Sequence, residues 1–434
     1  MTTPARRRFA LDLTPLRTSR DFRLVFAGAG VSGFGSFITY VTLPYQVAHL
    51  THSTLAVGLL GLFELVPLLL MAFVGGALAD YIDRRKLVIG GEVAFTVLTG
   101  ALMANAMLPR PHLWVVYAIA ALSTAIDGVQ RPAMEAMNPR LVEPHQIPAA
   151  SALRSLRFNV TMLAGPALGG VLIATVALPW VYAVDLATFA FSLVCLALVR
   201  AVPPPPAADR PGLRSVATGL RYARSRPELL GTYLIDMNAM FFGMPMALYP
   251  FIADRFGGPG VLGLLYAAPS AGALLATLTS GWSKHVYRHG LMVVLAAAAW
   301  GAAIVGFGLS GHLWVALGFL AAAGYADMIS GLFRSIIWDQ TIPDHLRGRL
   351  AGIEMVSYST GPLLGNLRAG LTARWLGIGG SVVAGGLLCI AGTVALAAAL
   401  PRFVRYDGRH GLARKQAEDA AWRAAAPERQ AAAL

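Results

Sequence analysis

The chain has 434 residues, of which 56% are apolar and only 13% are charged, and its mean hydropathy is +0.61. A soluble domain of this size does not need so large an apolar fraction to fill its core, so the composition indicates a membrane protein. The net charge of +13 would suggest nucleic-acid binding if it formed one basic patch, but the basic residues are spread along the chain. We therefore predict no nucleic-acid partner. The two cysteines, Cys195 and Cys389, lie inside apolar runs, so neither a disulfide framework nor a metal cluster is predicted.

Apolar stretches of roughly 20 residues, the length needed to cross a hydrocarbon core about 30 Å thick, recur along the chain. They predict an all-α membrane protein with twelve transmembrane helices in two pseudo-symmetric six-helix bundles. The first six predicted spans are 23–46, 54–79, 87–107, 113–133, 149–175 and 179–200. The second six are 228–253, 260–282, 290–309, 313–333, 348–373 and 379–400.

The division into two halves is also visible as a weak internal repeat. The heptapeptide Ala164–Gly170 resembles Thr360–Asn366, and Asp127 has a counterpart in Asp327. A Pro-rich and basic stretch separates the halves. The predicted organisation is a cytoplasmic segment at 1–22, a bundle at 23–200, a linker at 201–226, a second bundle at 227–401 and a cytoplasmic tail at 402–434.

The distribution of basic residues predicts the orientation. If each span reverses the direction of the chain, all but four of the 35 Lys and Arg residues lie in or beside segments on the side of the amino terminus. By the positive-inside rule both termini are therefore cytoplasmic. The exceptions are Arg110, Arg255, Arg368 and Arg374.

A glycine-rich loop follows the second predicted helix and reads Gly75-Gly-Ala-Leu-Ala-Asp80-Tyr-Ile-Asp83-Arg84-Arg85-Lys86. Glycines allow two helices to approach closely, and an acid beside them can accept hydrogen bonds from a neighbouring helix. We therefore predict a conformational gate formed by Gly76, Asp80, Arg84 and Arg85. The alternative, a plain basic loop, accounts for the cations but not for the glycines with Asp80.

The fifth predicted helix contains Gly165-Pro166-Ala-Leu-Gly169-Gly170. Proline inside a helix frees a carbonyl and permits a bend, while glycines permit tight contact with another helix. We predict a bend at a moving interface, formed by Gly165, Pro166, Gly169 and Gly170. Ordinary tight packing in a static bundle is the alternative.

These two motifs carry a family resemblance. The loop at Asp80 resembles the cytoplasmic loop motif of the major facilitator superfamily, and Gly165 to Gly170 resembles the fifth-helix motif of its proton-coupled exporters. Within the superfamily the chain is similar to bacterial siderophore exporters of the enterobactin type over nearly its whole length. The segments that carry this similarity include Leu50–Thr54, Leu108–Pro111, Leu248–Asp254 and Gly263–Ala268. Tyr81 and Asp83 depart from the usual loop motif, and the usual arginine in the middle of helix four is missing.

The resemblance implies a secondary active exporter that moves a small organic molecule, of the siderophore type, outward by proton-coupled alternating access. It also implies a monomer in the bacterial inner membrane that uses protons and needs no cofactor or metal. Multidrug or antibiotic efflux is the alternative within the superfamily. A membrane-embedded enzyme is a more remote alternative, since the histidines singled out, among them His52, His145 and His345, fall in loops or at helix ends.

Ionisable side chains inside membrane spans are costly and are candidates for function by default. The acidic and basic residues of this kind that we consider are Glu64, Asp127, Arg154, Arg157, Asp185, Asp236, Asp327, Glu354 and Arg368. We predict that the proton-coupling residue is among Glu64, Asp236, Asp127 and Asp327. For each acid the alternative is a structural hydrogen bond, and Asp127 has the further alternative of pairing with Arg131 one turn away.

The seventh predicted helix carries a stripe of Met and Phe, a surface that adapts to large apolar or aromatic ligands. Packing or lipid contact is the alternative for such a stripe. Arg157 is suited to neutralising an anionic ligand. The predicted substrate cavity is therefore lined by Arg157, Met237, Met240, Phe241, Tyr40 and Tyr358.

Overall fold

The computed structural model describes residues 12–81, 83–200, 221–343 and 346–424, with side chains described throughout except at 72–81, 348–349, 351–353, 355–356, 410 and 421–423. All regular elements in this part of the chain are helices. Ten of the described segments are long and apolar enough to cross a membrane. The predicted all-α membrane fold is confirmed.

Six long helices form the N-terminal half. They are α1 (Arg20–Thr51), α2 (Thr54–Tyr81), α3 (Arg84–Met107), α4 (Leu113–Met137), α5 (Ile147–Thr175) and α6 (Leu178–Ala197). The caps explain where some of them begin. The Ser19 side chain accepts a hydrogen bond from the Phe22 amide at 3.1 Å before α1, and the Asp83 side chain accepts from the Arg85 amide at 2.9 Å before α3.

The C-terminal half contains α7 (Pro227–Gly243), α8 (Pro259–Thr279), α9 (His289–Leu309), α10 (Leu313–Thr341) and a long helical segment, Arg347–Ala399. Gly377 interrupts that segment with φ 72° and ψ 169°. A positive φ of this kind ends a helix, and glycine tolerates it. We call the part before Gly377 α11 and the part after it α12. Short helices at Tyr249–Phe256, Pro401–Val404 and Gly408–Ala424 complete the half.

The predicted count of twelve spans is reached from these ten in two steps. The broken segment from α7 to Tyr249–Phe256 is counted as one span, and the segment Arg347–Ala399 is divided into two spans at Gly377. The count of twelve, the cytoplasmic location of both termini and the five domain boundaries stay predictions. The linker between the halves lies mostly at 201–220, outside the described residues.

Helix contacts follow the division into halves. Within the first half α1 packs against α5 and α6, α2 against α4, and α3 against α4 and α6. Within the second half α7 and α9 both pack against the α11–α12 segment, and α10 packs against α8 and α9. Two helix pairs make the most extensive contacts between the halves in the described part of the chain, namely α2 with α11 and α5 with α8.

Glycine residues form the close contacts in these two helix pairs, and we call the two contacts the joints between the halves. A Cβ atom added to Gly170 on α5 would overlap the backbone of Gly263 on α8, and one added to Gly61 on α2 would overlap the Leu363 backbone on α11. The Thr54 hydroxyl donates to the Gly370 carbonyl at 2.9 Å beside the second joint. Both joints lie towards the predicted outer ends of their helices. Backbones that approach this closely gain dispersion contacts, which drive helix association where lipid removes the hydrophobic effect.

The break after α7 leaves carbonyl groups without intrahelical partners at membrane depth. Arg368 on α11 donates to the Phe241 carbonyl at 3.3 Å and the Phe242 carbonyl at 2.5 Å, and to the Ser381 carbonyl at the start of α12 at 3.2 Å. Each unsatisfied carbonyl in hydrocarbon would cost several kcal/mol. Arg368 therefore stabilises the broken helix.

The joint at Gly170 gives the first prediction. In Gly170→Leu the new side chain meets the Gly263 backbone, and overpacking of this kind costs about 1–3 kcal/mol. We expect the protein to insert in the membrane while its transport rate falls, because the α5–α8 contact no longer forms. Transport assays with quantified membrane expression measure both.

Gly318→Leu on α10 is the matched control, since a Cβ at Gly318 meets nothing within 4 Å. Equal transport in the two variants would contradict the proposed importance of the α5–α8 contact.

Candidate functional site

Three adjoining cavities lie mainly in the N-terminal half. The inner cavity, of about 710 Å³, is lined by α1 and α3 to α6 and reaches Asn138 and Ser151 at the predicted cytoplasmic end. The middle cavity has about 320 Å³ and the outer cavity about 40 Å³. Asp127 lines both the inner and the middle cavity, and Glu64 lines both the middle and the outer cavity. Two of the predicted coupling acids therefore lie at the two junctions.

Glu64 lines the same small cavity as two aromatic rings that contact each other, Tyr40 and Tyr266, and we call this ring contact the closure above Glu64. The Tyr40 ring from α1 meets the Tyr266 ring from α8 edge to face, with centroids 5.7 Å apart. The Tyr40 hydroxyl lies 3.3 Å from the Met246 sulfur, in the break after α7. Tyr40, Tyr266, Met246 and Glu64 all line the small outer cavity. Tyr40 thus lines the middle and outer cavities and lies where the halves meet, while its contact with a substrate stays a prediction.

Asp127 is exposed to the cavities rather than bound in an ion pair with its neighbour. Arg131, one turn along α4, instead pairs with Glu135 at 3.5 Å. Asp127 is an exposed residue at the junction of the inner and middle cavities. A carboxyl in this position has access to both cavities, which is what a proton-exchanging group requires.

Three arginines line the inner cavity, namely Arg131, Arg154 and Arg157. The Arg157 guanidinium lies 5.7 Å from the centre of the Phe26 ring, a cation–π contact. The Nε atom of Arg154 is buried and has no hydrogen-bond partner among the described residues.

In the C-terminal half Asp236 is neutralised. Asp236 on α7 forms an ion pair with Arg334 on α10, and their side chains are only 5% and 10% exposed. Asp327, two turns before Arg334 on α10, lies 3.8 Å from the same guanidinium and is 43% exposed. The two predicted acids of this half thus share one cation. The sequence analysis did not include Arg334 among the site residues, since residue spacing within α10 does not show which helix faces it.

Of the Met and Phe stripe predicted within 228–253, Met246 lines the outer cavity, whereas Met237, Met240 and Phe241 line none of the three cavities described above. Met240 is 8% exposed, and it and Met237 lie against Gly361 of α11. The backbone carbonyl of Phe241 accepts from Arg368. Tyr358 is 39% exposed. A cavity role for these four residues stays a prediction.

The predicted gate is only partly described. The side chains of 72–81, which include Gly76 and Asp80, lie outside the described residues. Arg84 donates to the Ala136 carbonyl at 3.2 Å, near the end of α4, and Arg85 donates to the Ala197 carbonyl at 2.7 Å, at the end of α6. Cations at helix carboxyl ends are favourable, so both arginines hold α3 to its neighbours within the first half.

The glycine motif of α5 faces two partners. A Cβ atom at Gly165 or Gly169 would press on Phe37 or Ile38 of α1, whereas Gly170 contacts α8. Pro166 lies inside α5, which the structure gives as one continuous helix from Ile147 to Thr175. The motif thus lies at tight interfaces on both sides. A bend that moves stays a prediction.

Glu92 on α3 is an acid that the sequence analysis did not consider. It is 4% exposed and lines the inner cavity, and its Oε2 atom has no hydrogen-bond partner among the described residues. An acid inside the apolar run 87–107 was a sufficient signal to find it. No group of three or more His, Cys, Asp or Glu side chains placed to hold a metal occurs in the described part of the chain.

The ion pair of the second half gives the second prediction. Asp236→Asn leaves the buried Arg334 with only the longer contact to Asp327, and breaking a buried pair in this way costs about 3–5 kcal/mol. We expect a lower unfolding temperature in detergent, and recovery of most of the loss when Asp236→Leu is combined with Arg334→Leu.

Glu135→Gln is the control for this experiment, because the Arg131–Glu135 pair is exposed and is worth at most about 1 kcal/mol. If Asp236→Asn were no less stable than Glu135→Gln, the buried pair would not contribute to stability.

Solved membrane transporters share this arrangement of helices. A POT family transporter in complex with 5-aminolevulinic acid matches with a TM-score of 0.71 at 12% identity, over 89% of this chain and 97% of its own. A bacterial homologue of the human lysosomal transporter Spinster, in an inward-facing and unoccupied conformation, matches with a TM-score of 0.65 at 13% identity, over 91% and 97%. At these identities the likeness shows the fold alone. The protein therefore has the fold of this class of multi-pass membrane transporters.

The sequence comparisons narrow this class. Residues 10–417 match the family described as transmembrane secretion effector. The enterobactin exporter EntS of Citrobacter koseri is 30% identical over 389 residues, which cover 89% of this chain and 94% of the relative. The chain belongs to the transmembrane secretion effector family of the major facilitator superfamily. Its relatives and its fold are those of transporters rather than enzymes, and they imply a small-molecule substrate.

Proposed function

We propose that the protein is a proton-coupled exporter of a small anionic, aromatic molecule, a siderophore of the enterobactin type, across the bacterial inner membrane. The observation that carries this proposal is the 30% identity to an enterobactin exporter along 89% of the chain. The arginine-lined inner cavity supports it independently. We include in the proposal the twelve spans, the two six-helix domains, the cytoplasmic termini and the monomeric state.

The distribution of contacts supports alternating access. The halves are joined at Gly170 and Gly61, towards the predicted outer ends. The inner cavity reaches the opposite end, at Asn138 and Ser151. This combination fits an inward-facing state, from which export requires the glycine joints to part and the predicted cytoplasmic ends to close.

The cavity lining supports an anionic aromatic cargo. Arg131, Arg154 and Arg157 supply positive charge. The phenylalanines of the same cavity supply ring faces, and they are Phe37, Phe95, Phe158 and Phe189. A volume of about 710 Å³ lies within the usual range of about 300–1,000 Å³ for ligand sites. A catecholate offers both a negative oxygen and an aromatic ring.

Efflux of lipophilic drugs is the second candidate. It is favoured by the same ring faces together with Asp127 and Glu135, which line the inner cavity and suit a cationic compound. Transport of iron-free enterobactin compared with a lipophilic cationic dye, in the same vesicles, separates the two functions.

Arg157 gives the third prediction. Arg157→Gln removes a charge-assisted donor, which is worth about 1.5–3 kcal/mol, so the KM for iron-free enterobactin should rise by roughly tenfold or more. Everted membrane vesicles provide the measurement. Arg110→Gln, in the loop before α4, is the control and should leave KM unchanged. An unchanged KM in Arg157→Gln would show that Arg157 does not contribute to binding of the cargo.

Glu64 gives the fourth prediction. Glu64→Gln keeps the shape of the side chain but loses its charge change, so accumulation driven by a proton gradient should be abolished while downhill exchange persists. Proteoliposomes with an imposed pH gradient measure both. Glu143→Gln, at an exposed glutamate outside the helices, is the control. If Glu64→Gln still accumulates cargo uphill, Asp127, Asp236 and Asp327 remain as candidates.

A further inference from the structure

Three helices of the N-terminal half each carry two polar residues seven positions apart. The pairs are Ser32 and Thr39 on α1, Glu92 and Thr99 on α3, and Asp185 and Ser192 on α6. Seven residues make nearly two turns, so the members of a pair lie on one face of their helix, about 10.5 Å apart along its axis. The contacts group these six residues into two layers, each with one carboxyl group and two hydroxyl groups.

The inner layer is centred on Glu92. Its Oε1 atom accepts hydrogen bonds from the Ser192 hydroxyl of α6 at 3.1 Å and the Ser32 hydroxyl of α1 at 3.5 Å. The other oxygen, Oε2, is buried without a partner among the described residues. Glu92 lines the inner cavity. A protonated carboxyl group has one donor, and Oε2 is the atom left free to carry it.

The outer layer is centred on Asp185, which is 1% exposed. Its Oδ2 atom accepts from the Thr39 hydroxyl of α1 at 2.5 Å and the Thr99 hydroxyl of α3 at 3.5 Å. Gly35 on α1 makes room for this group, because a Cβ atom there would overlap the Asp185 carboxyl. Asp185 lines the middle cavity.

Two stacked rings lie between the layers. Phe95 on α3 and Phe189 on α6 have centroids 5.5 Å apart and planes 7° from parallel. By residue number, each lies between the two polar residues of its helix. Both rings line the inner and the middle cavity. An apolar pair in this position limits water between the two carboxyl groups.

Neither carboxyl group has a cation within ion-pair distance in the part of the chain whose side chains are described. A buried and unpaired carboxylate costs several kcal/mol, so such a group favours the neutral, protonated form until water reaches it. The elements packed around the layers also present charged groups to the shared cavities. These are Glu64 on α2, Asp127, Arg131 and Glu135 on α4, and Arg154 and Arg157 on α5.

We propose that Glu92 and Asp185 form a proton relay through the N-terminal half, in which the Phe95–Phe189 pair separates an inner from an outer proton site. A proton leaves one carboxyl oxygen for water that enters the cavity, and it is taken up by the ionised carboxyl of the other layer. Proton transfer requires the ring pair to move apart. This inference rests on the proposed proton coupling and assigns it a route.

The test uses the full-length protein in proteoliposomes with iron-free enterobactin as the probe and a pH-sensitive dye inside. Glu92→Gln can keep the hydrogen bonds from Ser192 and Ser32. Asp185→Asn can keep those from Thr39 and Thr99 but loses the one that Thr188 donates to Oδ1. Neither variant can release a proton from its amide. We expect uphill accumulation to fall by roughly tenfold or more while downhill exchange of the probe continues. Glu92→Asp should restore accumulation with a shifted pH profile, which a purely structural role would not produce.

The Phe95→Ala variant can be tested by measuring proton leak, an assay that needs no cargo. Removing one ring opens the path between the layers, so proton leak should exceed that of the wild type and should return to the wild-type level in Phe95→Ala with Glu92→Gln. Phe191→Ala, at an exposed ring of α6 that lines none of the three cavities, is the control and should not leak.

The outcomes separate this inference from the proposed function. If the wild type does not accumulate the probe under a proton gradient, the proposed function is wrong. If the wild type does so and Glu92→Gln matches it, or if Phe95→Ala does not leak, the relay is wrong. Accumulation that follows a sodium gradient in the wild type and is lost in Glu92→Gln would also overturn the relay, since the site would then bind Na⁺.

Discussion

The close backbone contact between the two halves is the constraint on which the rest of the structure depends. At Gly170 and Gly263 the chains of α5 and α8 meet with no side chain between them, and Gly61 makes the same kind of contact between α2 and α11. In lipid this packing is held by dispersion and a few hydrogen bonds rather than by the hydrophobic effect. Because the joints lie near one end of their helices, the helices are free to diverge towards the other end, which the inner cavity reaches. Small residues thus close one end of the bundle with contacts that can part.

The two halves use their buried charges in different ways. In the second half Arg334 neutralises Asp236, and Arg368 satisfies the carbonyls of a broken helix. Charges used in this way stabilise a rigid arrangement. In the first half Glu92 and Asp185 contact hydroxyl groups and line cavities. A carboxyl held by neutral donors can change its charge without leaving a buried cation unpaired. The resemblance between the halves in sequence therefore does not extend to their electrostatics.

The sequence predicted the helical membrane fold well because hydrocarbon thickness imposes a length on every span. It predicted a single span at 228–253, whereas α7 ends at Gly243 and a second helix begins at Tyr249. A local signal for the break was present, since Pro245 lies in it and proline does not continue a helix. Arg368, which is far away in the chain, donates to the carbonyls at the break. Asp127 and Glu64 could be singled out because they are acids inside predicted spans. The ion pair of Asp236 could not be predicted, because helical periodicity within one span does not say which residue of another span faces it.

The groups of the proposed proton relay and those that shape the cavities converge on α1. Ser32 and Thr39 contact the two carboxyl layers, and Tyr40 belongs to the closure above Glu64. Gly165 and Gly169 hold α5 against the same helix at Phe37 and Ile38, and α5 carries the glycine joint to the second half. A change in charge at either carboxyl layer alters the hydrogen bonds of α1. Because α1 packs tightly on α5, a shift of α1 is passed to the joint through side chains that have no room to absorb it. This contiguous set of contacts is the route by which the proposed proton relay would act on the proposed opening of the halves.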